Sequence, residues 1–205
     1  MPRTKEQNKL IKDKRKNQIM GVALKLFCEH GYDVICVDDI CKKAHISHGL
    51  FYHYFSSKED IKSVIIEYGK EKAFATRAPF LDPNLTGLDF FRQANESLIG
   101  VIKSLDTPMY YEYYLIQELF KVDISSKLLK EKGKPDFSVF QKMYWTIVEL
   151  QESKVFIAGN PKTIFYTYIT VLLGIMTMNM IGKLKVGRAP DSEIVMNLLY
   201  RKKED

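Results

Sequence analysis

The chain predicts an all-α protein: an N-terminal three-helix head carrying a helix-turn-helix, followed by a larger C-terminal helical body. Three observations predict it. Apolar residues recur at helical spacing along nearly all of the 205 residues, and no alternating run is long enough for a sheet. Segment 31–59, GYDVICVDDICKKAHISHGLFYHYFSSKE, places two short helices around a three-residue break, His45-Ile46-Ser47. Such a pair makes a helix-turn-helix, whose second helix enters the DNA major groove. Glycine and proline, as in Gly159-Asn160-Pro161, cut the remainder into helix-length pieces.

Composition narrows the class. An apolar fraction of 46% predicts a packed protein. Net charge is +6, and residues 1–62 hold 12 Lys/Arg against 8 Asp/Glu, whereas residues 63–205 hold 19 against 17. A basic head suits a polyanion such as DNA. The three cysteines, Cys28, Cys36 and Cys41, are odd in number and irregularly spaced, which argues against a disulfide framework and for the cytoplasm. The opening stretch MPRTKEQNKLIKDKRKNQ lacks the apolar core of a signal peptide. Thr163 to Gly182 is charge-free and long enough to span a membrane. Its Thr163, Thr167, Thr170, Thr177 and Asn179, with Tyr166 and Tyr168 in mid-run, predict a helix covered by protein instead, and no membrane partner.

The elements follow in order. The first helix is predicted from about 9 to 30, with Ile19, Ala23, Leu26, Phe27 and His30 on one stripe and Gly31 as its stop. Two short helices, 37–44 and 48–54, form the helix-turn-helix, 36–55 with its cap. Ser56-Ser57 caps a fourth, from 58 to about 76, whose Glu59 and Asp60 favour the helix dipole and whose Ile61, Val64, Ile65 and Tyr68 face inward. Further helices are expected near 86–105, 109–121, 136–156, 161–182 and 191–202. The domain division expected is a DNA-binding head over 13–73 and a body over 74–205, with the fourth helix as the rod linking them.

In the second short helix Phe51 and Phe55 are four apart, share a face and plug the head. His48, Tyr52 and His53 fall on other faces. Gly49 lets the helix N-terminus approach a phosphate, Tyr52 and Tyr54 can donate to phosphates, and Lys58 adds a full charge. The order Ile19-x-x-Val22-Ala23-x-x-Leu26-Phe27, Gly31-Tyr32, Val37-Asp-Asp-Ile40, Ala44-His-Ile-Ser47-His-Gly49, Leu50-Phe-Tyr52-His-Tyr-Phe55 and Ser57-Lys-Glu59 resembles the tetracycline-repressor (TetR) family, over residues 15 to about 65. The resemblance implies an all-helical homodimer with a DNA-binding head and a body that holds a small molecule and the dimer interface. The candidate DNA contacts are Val37, His48, Gly49, Leu50, Tyr52, His53, Tyr54 and Lys58. Three positions depart from the family pattern. Cys36 replaces a capping Ser or Thr, and His45 replaces glycine in a left-handed turn. Leu50 replaces a small residue, and so offers a thymine methyl an apolar contact.

All four histidines and all three cysteines lie between residues 28 and 53, but no second pair stands at zinc spacing, so neither metal nor cofactor is expected. Cys36, near a helix N-terminus, is the best redox candidate. No Gly-rich phosphate loop, G-x-S-x-G or H-E-x-x-H motif supports an enzyme. In the body, Tyr110-Tyr111-Glu112-Tyr113-Tyr114 points rings in several directions, so some should line a cavity or an interface. Phe91, Tyr110, Tyr114, Trp145 and Tyr168 are the expected lining of a pocket for an apolar, aromatic or cationic effector. Glu112, Glu118 and Glu149 are expected on solvated faces. Helices 161–182 and 191–202 are expected to pair with a second copy. The expected function is a repressor released from a near-palindromic operator by a small ligand; the alternative is a DNA-binding regulator under partner or redox control.

Overall fold

The computed structural model describes residues 4–104, 107–121, 138–180, 182 and 190–200. Helices α1 (Lys5–His30), α2 (Val37–Ala44), α3 (His48–Tyr54) and α4 (Lys58–Arg77) are followed by a 3-10 turn, Ala78–Leu81. Then come α5 (Gly87–Ser104), α6 (Thr107–Lys121), α7 (Ser138–Glu152), α8 (Pro161–Met180) and α9 (Ser192–Asn197). The chain divides into two compact units at residues 71 and 72, so α4 begins in the first and ends in the second.

In the first unit α1 starts earlier than expected because Thr4 and Gln7 make a reciprocal capping box, at 3.2 and 3.0 Å. Ile19, Ala23, Leu26 and Phe27 are buried as the stripe predicts, but His30 is exposed in the last turn. Gly31 ends the helix at φ 90°, its N–H donating to the carbonyl of Phe27 at 3.0 Å. Helix α2 packs on α1 through Ile40, Cys41 and Ala44. It closes with His45 in the left-handed region, φ 53° and ψ 52°. There the N–H groups of His45 and Ile46 satisfy the carbonyls of Lys42 and Cys41. Ser47 caps α3 by accepting the N–H of Leu50 at 3.2 Å, and Ser57 caps α4 by accepting that of Asp60 at 3.1 Å. On α4, Ile61 and Ile65 are buried, while Val64 and Tyr68 are half-buried.

In the second unit α5 packs against α6, α7, α8 and α9. Its Phe90, Phe91, Ala94, Leu98, Ile99 and Ile102 are buried. The helix expected over 136–156 is shorter. It ends at Glu152, the chain reverses with Lys154 at φ 59°, and Phe156 pairs with Tyr200 in an isolated antiparallel bridge. That bridge also ends the helix expected over 191–202 at Asn197. Residues 136–137 and 201–202 of those expectations lie outside the described residues. One buried polar network ties three helices: the Tyr168 hydroxyl donates to Asn95 Oδ1 at 2.8 Å, and Asn95 Nδ2 donates to the carbonyl of Ser192 at 2.9 Å. Burial pushes the Tyr168 phenol well above the usual range, so it remains a donor.

Glu112 is not on a solvated face. It is buried on α6 and pairs with Arg77, the last residue of α4, whose guanidinium also lies 4.7 Å from the centre of the Phe140 ring. Nearby, Lys142 donates to the carbonyls of Phe80 and Asp82 at 3.0 and 2.8 Å. Two cations thus hold the chain from 77 to 82 against α6 and α7.

Helix α8 is covered on one side only within the described residues. Ile164, Phe165, Tyr168, Ile169, Leu172 and Met176 are buried. Thr163, Thr167, Thr170, Gly174 and Met178 form an exposed stripe. By length and composition this helix would suffice to cross a membrane, but its buried face is built into the packing of α5, α6 and α7.

Candidate nucleic-acid interface

Helix α3 is anchored from one side and open on the other. Phe51 and Phe55 are 0% and 1% exposed, with ring centroids 5.7 Å apart. The remaining positions sort by helix angle. His48, Gly49, Tyr52 and His53 form a contiguous exposed arc, with Leu50 and Tyr54 half-buried at its edge. The arc therefore gathers four of the eight candidate contacts. Val37, at the first turn of α2, is half-buried. A Cβ added to Gly49 would meet only Ser47 Oγ, at 3.9 Å, so the fold itself leaves this position open.

Lys58 stands apart from the arc. Its ammonium donates to the carbonyls of Tyr32 and Ile35 at 3.1 and 2.9 Å and lies 4.2 Å from the centre of the Tyr32 ring. It ties the start of α4 to the loop before α2, which leaves one N–H for a phosphate. Sequence reasoning missed that tether, whose partners lie 26 and 23 residues away.

It also missed the acids of α2. Asp38 accepts from Lys42 at 2.5 Å and lies 3.0 Å from His48 Nε2, so it joins α2 to the first residue of α3. The hydrogen bonds from Lys42 and then His48 hold its carboxyl below the usual range. At the weak cap, Asp39 compensates: its Oδ2 accepts the N–H of Cys36 at 2.9 Å and the thiol at 2.8 Å. Cys36 is exposed, whereas Cys41 is buried and Cys28 half-buried, and burial pushes both of those thiols up.

The ligand candidates divide. Phe91 and Tyr168 are buried with rings 5.4 Å apart, and Phe91 also meets Phe156 at 5.3 Å. Tyr110 and Tyr114 sit one turn apart on α6, and Trp145 on α7 lies edge-on to Tyr144 at 5.3 Å. The indole N–H of Trp145 is buried with no acceptor among the described residues.

A short polar helix held by two phenylalanines, preceded at a tight turn by a second helix, defines a helix-turn-helix DNA-binding head. Residues 19–62 match the family model of bacterial regulatory proteins, tetR family, so the head is similar to the DNA-binding region of that family. It is 33% identical over 86 residues to the transcriptional regulator UidR of Escherichia coli K12, covering 42% of each chain. It is 42% identical over 64 residues to the uncharacterized regulator YuxN of Bacillus subtilis, covering 31% of this chain and 22% of that one. The chain thus spans less than half the length of the curated relatives it matches. These relatives are transcriptional regulators rather than enzymes. Among solved structures, the ketosteroid transcriptional regulator KstR2 of Mycobacterium tuberculosis has TM-score 0.64 and 15% identity, over 92% of this chain and 96% of that one. A mutant of HlyIIR has TM-score 0.64 and 20% identity, over 98% and 100%. At these identities the likeness is one of fold, and it extends through the body.

The open space at Gly49 yields a discriminating prediction. Gly49→Ala should raise stability by about 0.5 kcal/mol, because alanine is the better helix former and nothing blocks it. It should also weaken duplex binding about tenfold or more, since a displaced contact to a charged phosphate is worth ~1.5–3 kcal/mol. Thermal melts and gel shifts measure the two. Unchanged affinity would mean that no phosphate approaches α3 there.

Proposed function

We propose that the chain is a homodimeric repressor of the cytoplasm, released from a near-palindromic operator by a small apolar or aromatic molecule. The observation that carries the reading is the exposed arc of α3, His48, Gly49, Tyr52 and His53, on a head that matches the tetR family. The head, over 13–73, reads DNA; Leu50 adds an apolar contact, and Val37, Tyr54 and Lys58 hold the backbone. The body, over 74–205, holds the effector and the contact between copies.

Two features support the dimer. The exposed stripe of α8 is made of small or apolar residues, and Ile194 and Leu198 of the last segment are 59% and 54% exposed. A two-fold axis lets one such patch cover itself. For the effector, the support is the aromatic set Phe91, Tyr110, Tyr114, Trp145 and Tyr168, together with the indole N–H of Trp145. A buried donor without an acceptor is costly, so it favours a ligand that carries one. A ligand releases DNA only through its differential affinity for the two states of the dimer.

Trp145 is the only tryptophan, so its emission reports on this pocket. A compound that releases operator DNA should quench or shift that emission over the same concentration range. Release with no change in emission would put the effector site elsewhere, and failure of every compound class to release DNA would favour partner or redox control.

A further inference from the structure

The first half of α1 is almost bare of tertiary packing, with only Arg15 and Lys16, at its inner end, half-buried. Not one side chain from residues 5–18 is buried; burial begins at Ile19, and Leu10 and Ile11 are 69% and 48% exposed. An isolated helix of this length is marginal in water, so its capping box at Thr4 and Gln7 starts a helix with little else to hold it.

Charge is concentrated in the same place. Residues 4–18 carry six Lys/Arg against two Asp/Glu, a balance of +4. Residues 19–62, which match the family head, carry five against six, a balance of −1. The helix-turn-helix proper therefore has no cationic excess to set against a duplex, which bears one negative charge per about 1.7 Å. The excess lies in the extension.

The lysines are also aligned. Lys5, Lys9, Lys12 and Lys16 are spaced four, three and four apart, which places them on one helix face. The same stripe continues as Ile19, Ala23 and Phe27, which are buried where α1 packs in the head. So the face that is apolar within the head becomes cationic beyond it. Lys16, at the near end, lies 5.7 Å from the centre of the ring of Phe55, which ends α3. Like charges four apart repel along the helix, and an anionic partner relieves this.

We propose that residues 5–18 are a helical arm that lays the stripe Lys5, Lys9, Lys12 and Lys16 along the phosphates of the duplex flanking the site that α3 reads. This rests on the DNA-binding reading above and adds a sequence-independent contact to it. At 1.5 Å per residue the arm is about 21 Å long, enough to track roughly six base pairs. A membrane surface is the poorer partner, because Leu10 and Ile11 are the only large apolar residues in the stretch and bury too little apolar area to anchor a helix in an interface.

The test uses the full chain with K5Q/K9Q/K12Q, since glutamine matches lysine in helix propensity and Lys16 keeps its contact with Phe55. Binding to random-sequence duplex DNA is measured across a salt series, with helicity checked by circular dichroism. The slope of log affinity against log salt should fall in magnitude by about 2.7 per engaged arm, ~0.9 for each lost phosphate contact. The body variant K103Q/K154Q should leave the slope unchanged. A triple-variant slope equal to wild type, or an equal change in the body variant, overturns the arm while leaving the DNA-binding head intact. Wild-type protein that binds no duplex overturns both readings. Loss of binding to anionic phosphatidylglycerol vesicles with an unaltered DNA slope overturns the arm in favour of a membrane contact.

Discussion

Gly174→Arg should convert the protein to monomers and lower operator affinity by about a hundredfold or more, because joining two heads in one molecule gains roughly 10²–10⁴ in avidity. The choice of site follows from α8. The exposed stripe is Thr163, Thr167, Thr170, Gly174 and Met178, whereas Leu173 and Thr177, one step around the helix, are half-buried. Thr177 is also engaged by hydrogen bonds to the carbonyl of Leu173 at 2.9 Å and the Tyr113 hydroxyl at 3.3 Å. A Cβ at Gly174 meets nothing within 4 Å, so the isolated chain tolerates the substitution and its effect reports on a partner. Two guanidinium groups facing each other across a two-fold axis would be desolvated and unpaired. Thr170→Arg should act alike. Sedimentation measures the assembly and gel shifts measure the affinity. Variants that stay dimeric, or a wild type that is already monomeric, would remove α8 from the interface.

Arg77→Ala should destabilise the body by about 3–5 kcal/mol, the cost of leaving a buried carboxylate without its partner. Both side chains are largely shielded, 19% exposed for Arg77 and 9% for Glu112, so screening by water is slight. The double variant Arg77→Met with Glu112→Gln should recover most of the loss, because apolar and neutral replacements do not need the pair. Urea unfolding measures that loss, and with the wild type, Arg77→Met, Glu112→Gln and the double variant it closes the cycle. A small effect in Arg77→Ala would show that Glu112 finds water or another donor.

The head was readable because its signals are local. Gly31 marks the end of α1, Ser47 and Ser57 cap the next helices, and Phe51 and Phe55 share a face at a spacing that sequence alone displays. Thr4-Lys5-Glu6-Gln7 also has the spacing of a capping box, and it places the start of α1 at Lys5 rather than near 9. The rest depends on partners distant in sequence. Lys58 reaches carbonyls more than twenty residues back, and Glu112 is buried because Arg77 lies 35 residues before it. Helices α7 and α9 are cut short because Phe156 and Tyr200, 44 positions apart, form a bridge that no helical period anticipates. Phe91 and Tyr168 pack ring against ring in the core, and spacing could not show that Asn95 and Ser192 would fix the Tyr168 hydroxyl.

If α3 of a symmetric dimer reads DNA, selection of bound duplexes from a random pool will enrich, for the wild type, a near-palindrome whose half-sites lie about one turn apart, ~34–36 Å, or a multiple of that. The same selection with Leu50→Ala will shift the preference at one base pair in each half-site. No enriched sequence, or a single half-site with no symmetry mate, would contradict that role of α3.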